Sequence, residues 1–128
     1  MPRELFSILC DDIRLEQGNK VSLMGLYSNG LIVAQVPITM PKLCLYQQLE
    51  ETNDVKNILV HLKGPKLSVK ADLKVKRSTE NINLRVVFGP LQFEEEGDYR
   101  FETYIDHSNE PTITKKFFIK VREDLKIK

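Results

Sequence analysis

The chain has 128 residues, 41% hydrophobic and 29% charged, a size that suits one domain and buries roughly two-thirds of the unfolded surface. Nineteen Lys and Arg against eighteen Asp and Glu leave a net charge of +1, which excludes the global basic excess of an electrostatic nucleic-acid binder. No apolar run approaches the roughly 20 residues that cross a bilayer as a helix, so a single domain over residues 1–128 is expected, without a membrane partner.

Residues 5–10 form a nearly continuous apolar run that Asp11 and Asp12 interrupt too early for a secretory h-region, so a cytoplasmic protein is expected. Cys10 and Cys44 both lie within apolar stretches and read as free, buried thiols. Residues 13–16 and 21–24 flank Gln17-Gly18-Asn19-Lys20, whose glycine and asparagine tolerate positive φ, so a hairpin is predicted. Gly25 then predicts a bulge or a close backbone approach. Pro37 and Pro41 bracket Ile38-Thr39-Met40, an extended segment at a sheet edge or in a connection, with the cis or trans state of either proline left open. Residues 43–46 are apolar throughout, as in a strand buried on both sides.

Downstream the period is two. Ile58, Val60 and Leu62 alternate with Asn57, Leu59 and His61. Leu67, Val69, Ala71, Leu73 and Val75 take one face of the next run, and Lys66, Ser68, Lys70, Asp72, Lys74 and Lys76 the other, as in a half-buried antiparallel strand. After a turn at Arg77-Ser78-Thr79-Glu80 come Ile82, Leu84, Val86 and Phe88. Tyr99, Phe101, Thr103 and Ile105, then Phe117, Ile119 and Val121, supply the last two inward faces. No segment has the 3.6-residue spacing of an amphipathic helix longer than about two turns. The fold expected is an all-β, antiparallel immunoglobulin-like sandwich of eight or nine strands.

The immunoglobulin-like part of that expectation comes from Glu95-Glu96-Gly97-Asp98-Tyr99-Arg100-Phe101, which resembles the Asp-x-Gly-x-Tyr-x-Cys pattern of immunoglobulin sandwiches. There a tyrosine near the start of a strand bonds back to the chain a few residues upstream. Glu95 replaces the aspartate, Phe101 replaces the cysteine, and the chain has no tryptophan. The resemblance therefore implies an immunoglobulin-like or fibronectin-like sandwich and excludes an antibody-type domain. More widely, Ile8-Leu9-Cys10-Asp11-Asp12-Ile13-Arg14, the segment from Gly18 to Tyr27 and Gly97-Asp98-Tyr99-Arg100-Phe101 resemble a family of small bacterial proteins of unknown function. That resemblance implies a bacterial or phage protein and supplies no catalytic residue.

Asp11, Asp12 and Glu16 would form a calcium site if loops set them beside Glu94, Glu95, Glu96 and Asp98, yet the dense alternating aspartates of such sites are missing and solvated turns are expected. Cys10, Cys44, His61 and His107 lack the paired spacings of a zinc site, so no metal or other cofactor is expected. No Gly-x-Ser-x-Gly elbow, phosphate loop or dinucleotide fingerprint occurs, and no enzyme is expected. His61 reads as a strand-face residue and His107 as a loop residue.

The lysine ladder of Lys66, Lys70 and Lys74, with Lys63, Lys76 and Arg77, is the strongest single-sign surface feature. It fits an anionic partner, or protection of an edge strand. No aromatic residue interleaves it, which disfavours nucleic acid. Tyr104 points outward between Glu102 and Asp106, a setting favoured at protein interfaces. The expectation is a non-enzymatic protein-binding or assembly module, with Tyr104, Glu102 and Asp106 on one face and Lys66, Lys70 and Lys74 on another, its partner a protein or a second copy. The alternative is a carbohydrate or nucleotide site in the end loops.

Overall fold

The computed structural model describes residues 2–18, 20–77 and 79–122. Among them the chain forms eleven strands and no helix: β1 (Arg3–Glu16), β2 (Lys20–Tyr27), β3 (Gly30–Val33), β4 (Ile38–Met40), β5 (Leu43–Glu50), β6 (Asn57–Gly64), β7 (Leu67–Lys74), β8 (Asn81–Phe88), β9 (Leu91–Phe93), β10 (Gly97–Ile105) and β11 (Ile113–Val121). They build a four-stranded sheet ordered β2-β1-β5-β8, a five-stranded sheet ordered β3-β11-β10-β6-β7, and the small pair β4-β9.

The all-β class is as the alternation implied, with two corrections. The strands outnumber the eight or nine expected because β3, β4 and β9 are only three or four residues long, too short for a period of two to register. Nor are the sheets antiparallel throughout, because β3 runs parallel to β11, with Leu31 opposite Ile119 and Val33 opposite Val121. Alternation reports which face a side chain takes and is silent on strand direction. The connection after β2 carries the chain from the edge of one sheet to the edge of the other.

The inward faces of the two large sheets meet in one core, with Leu9, Leu45, Leu49, Leu84 and Val86 from the first and Ile58, Val60, Leu62, Phe101, Phe117 and Ile119 from the second. Phe88 and Phe101 touch across the interface with ring centroids 5.6 Å apart. Fully burying each such side chain stabilises the fold by about 1.5–3 kcal/mol. One polar bridge crosses this interior. Thr103 Oγ1 donates to Gln47 Oε1 at 2.9 Å, and Gln47 Nε2 donates to Ser7 Oγ at 3.0 Å, so the fully buried Gln47 is satisfied at both ends.

Tyr99 anchors the corner ahead of β10. Its hydroxyl donates to the Glu95 carbonyl at 2.6 Å, while its ring meets Phe93 edge-on at 5.2 Å and stacks on Phe117 at 5.6 Å. Gly64 is required beneath it, since a Cβ there would sit 2.0 Å from the ring.

The long β1–β2 hairpin adds a partial third layer. β1 pairs with β5 only from Arg3 to Cys10, and beyond that point β2 is its sole partner. The β1–β2 ladder skips Asp11 and Gly25. Gly25 has φ +68, and the Asp11 carboxylate lies 2.4 Å from where its Cβ would be, the close approach that the lone glycine implied. Here the ribbon bends back across the outer side of the four-stranded sheet. The Cys44 thiol donates to the Asp11 carbonyl at 3.6 Å, and Leu15 and Val21 share a cleft with Tyr46, Asn83 and Arg85. Cys10 and Cys44 alternate with the core residues Leu9 and Leu45 and so point away from the core, yet both are 0% exposed, and Tyr46 only 8%. This cover explains why residues 43–46 are apolar on both faces. Both thiols are unpaired.

In the hairpin turn Gly18 takes φ +80, while Asn19, like Ser78 in the β7–β8 connection, lies outside the described residues. Ile38–Met40 is extended as expected and pairs with β9. The Val36–Pro37 and Gly89–Pro90 bonds are cis, and the bond before Pro41 is not.

Candidate functional site

Alternation along β10 sends Arg100, Glu102 and Tyr104 to the outer face of the five-stranded sheet. The register then fixes their neighbours. Lys116, Arg100 and Lys63 lie in one row across β11, β10 and β6, and Thr114, Glu102, His61 and Lys70 lie in the next. Tyr104 stands opposite Leu59, whose place on this nominally wet face is thereby half-covered.

Glu102 is the centre of the lattice and only 8% exposed. Its Oε1 receives the Lys63 ammonium at 2.7 Å and the Tyr104 hydroxyl at 3.0 Å, and its Oε2 receives Arg100 Nε at 3.2 Å. Lys63 chiefly, then Tyr104 and Arg100, outweigh the cost of burial and hold the carboxyl down at about 2. The Lys63 ammonium is raised in return, foremost by its hydrogen bond to Glu102. His61 Nε2 is 2.7 Å from Ser68 Oγ, and partial burial, then Lys63 and Lys70, depress its pKa.

Directly opposed like charges destabilise a sheet, and one carboxylate cannot neutralise this row. Outward on the five-stranded sheet stand Lys63, Lys70, Lys74, Arg100, Lys116 and Lys120 against Asp72, Asp98 and Glu102. The face keeps a positive surplus, and beside it lies a depression of about 440 Å³ lined in part by Asn29, Arg100, Lys116 and Phe118.

Of the residues singled out from sequence, Glu102, Tyr104, Lys70 and Lys74 thus share one face. Asp106 lies elsewhere: it has φ +48 in the turn after β10, and its Oδ1 accepts the backbone N–H groups of Lys56 and Asn57 at 2.8 and 2.9 Å. That fixes the start of β6. Lys66 sits in the β6–β7 turn at φ +56 and pairs with Glu95 at 3.5 Å. His107, at φ +61, belongs to the turn after β10.

The sequence reading passes over Lys116, although the inward phase of Phe117, Ile119 and Val121 already sends it outward; what that phase does not carry is the row it shares with Arg100 and Lys63. Lys115 turns out to stand opposite the core residue Phe101 on a stretch of β11 that β3 does not cover. An inward-leaning lysine of this kind blocks edge pairing.

The acidic segments have protein partners of their own. Asp11 accepts the Tyr27 hydroxyl. Asp12 pairs with Lys42 at 2.6 Å and Arg14 at 3.3 Å. Glu96 Oε1 accepts the Val121 N–H at 2.6 Å. Among the described residues these carboxylates do not converge into a group of metal-ligating side chains.

A second concavity lies under the bent hairpin, a cleft of about 520 Å³ lined by Leu15, Glu16, Lys20, Val21, Tyr46, Asn83 and Arg85. It was invisible in the sequence because the bend, not any motif, brings Leu15, Glu16, Lys20 and Val21 over β5 and β8.

Two facing sheets, a bent ribbon and a charged lattice on one outer face define an all-β domain. The chain belongs to the family of unknown function DUF6941, whose model matches residues 5–116. That span takes in nearly the whole of the hairpin, all of β10 and the Lys116 row. No curated protein matches the chain.

Proposed function

We propose that this chain is an immunoglobulin-like sandwich that acts, without catalysis, as a cytoplasmic binding module, docking an acidic segment of a protein partner on the outer face of its five-stranded sheet. The observation that carries the docking face is the row Lys116–Arg100–Lys63, three cations opposed in register with only Glu102 between two of them. A partner that brings carboxylates to this row relieves the repulsion, and the adjoining depression beside Phe118 takes an apolar side chain.

The immunoglobulin-like assignment draws on topology. β5 and β8 neighbour each other as the B and E strands do, β6, β10 and β11 follow the C-F-G order, and Tyr99 bonds back to Glu95 as the corner tyrosine does. Two unpaired thiols favour a reducing compartment.

Differential capture tests the docking surface. A host protein retained by the wild-type chain, released by raised salt and lost when Lys116→Glu is combined with Lys70→Glu is the expected result. Equal retention by the wild type and the double variant rejects this face.

A further inference from the structure

The geometry points to a binding site for a small organic acid in the cleft beneath the β1–β2 hairpin, independent of the charged face on the opposite sheet. Its floor is the outer side of the four-stranded sheet, where Tyr46 on β5 stands opposite Arg85 on β8. Its roof is the bent ribbon, where Leu15 stands opposite Val21 and Glu16 opposite Lys20. All seven lining residues come from these two layers.

Chemistry narrows the ligand. Arg85 and Lys20 have no ion-pair partner among the described residues, and they reach the cleft from floor and roof respectively. A guanidinium with an unused fork suits a carboxylate, which it grips by two parallel hydrogen bonds. Asn83 Oδ1 is already occupied by Gln48 Nε2 at 2.9 Å, which leaves the Asn83 amide as a donor. Val21 and the Tyr46 ring, itself braced by Phe6 at 5.5 Å, provide an apolar wall, and Leu15, 67% exposed, stands at its solvent-facing rim. A head of one negative charge on an apolar body matches this distribution. Glu16, held by Ser22 at 3.2 Å, stands at the same cleft and repels a second charge, which selects against polyphosphates.

The volume, about 520 Å³, is within the range of roughly 300–1,000 Å³ typical of small-molecule sites. The roof is suited to clamp. Past Asp11 it is a two-stranded ribbon without a third strand, marginal by itself, so a ligand that bridges roof and floor holds it down.

Octanoate is the probe, with octanamide as its uncharged match. Octanoate is expected to raise the melting temperature with concentration, and to slow hydrogen exchange at residues 13–15 and 21–23. Octanamide should bind at least about tenfold more weakly, a difference of about 1.4 kcal/mol. Arg85→Gln lies on the protein surface and should leave the ligand-free melting temperature in place while weakening octanoate about tenfold. Lys116→Gln, on the other sheet, should not change octanoate affinity. No stabilisation by octanoate, equal binding of octanamide, or full affinity in Arg85→Gln each overturns the assignment. A failure of the Lys116 face in capture experiments leaves it untouched.

Discussion

Replacing Glu102 with glutamine keeps the side chain's shape and removes its charge, leaving Lys63 and Arg100 on either side of a neutral group with Lys116 beyond. The partners of this carboxylate are half-exposed, so screening reduces its value from the buried limit. Glu102→Gln is expected to cost about 1–3 kcal/mol in urea denaturation at neutral pH. The folded carboxyl is held near 2, below the value of about 4.3 it has in an unfolded chain. The unfolded state therefore takes up the proton first as acid is added. Its contribution is complete above pH about 4.5, declines as pH falls towards 2, and is absent from Glu102→Gln, so the stability difference between the two proteins should narrow over that window. Tyr99→Phe removes the hydroxyl bond to Glu95 and keeps the ring against Phe93 and Phe117. It should cost about 1 kcal/mol by the same measurement. Single residues of this kind were partly legible in the sequence. Tyr99 announced itself through the Gly97-Asp98-Tyr99 turn, and Tyr104 and Glu102 through their outward positions. Lys63 and Arg100 were visible as charges, but their convergence on Glu102 depends on which strands are neighbours.

At the scale of elements, the hairpin separates what pattern carries from what it does not. The turn residues announced a hairpin between residues 13–16 and 21–24, though not its register, in which Lys20 leaves the turn to stand opposite Glu16, and Gly25 announced an irregularity. The direction of the bend is a consequence of a left-handed φ at Gly25 together with the Asp11 carboxylate packed against it, and neither is written in the alternation. Gly25→Ala puts a methyl group into that contact and strains the backbone, at an expected cost of about 1–3 kcal/mol. Its effect should be local. Burial, and the nearby Cys44, push the Cys10 thiol up to about 11, and burial raises Cys44 as well. Both thiols are covered, so in the wild type a water-soluble thiol reagent at pH 8 should react only through opening of the ribbon. In Gly25→Ala the labelling rate should rise several-fold more than the rate of global unfolding does. Equal increases in the two rates would show that the ribbon does not cover the thiols independently.

For the whole molecule, the chain passes repeatedly between sheets: β1 and β2 lie in the first, β3 in the second, β5 in the first, β6 and β7 in the second, β8 in the first and β10 and β11 in the second. Neither sheet can leave without the other. Chemical denaturation followed by tyrosine fluorescence and by circular dichroism should give coincident transitions, with folding on the millisecond-to-second scale usual for non-local β pairing. The two-layer plan was legible because a period of two, repeated along β6, β7, β8 and β10, demands a common interior. The crossing to β3 was not, since four residues flanked by Ser28-Asn29 and Ala34 carry no mark of the sheet they join. β5 occupies a special place in this plan. It is a central strand, with core on one side and the ribbon on the other, and its Leu43, Cys44, Leu45 and Gln47 are all 0% exposed. Transferred to heavy water, the molecule should give up the protons of this strand last, so that its midline outlasts both of its edges as a record of the native state.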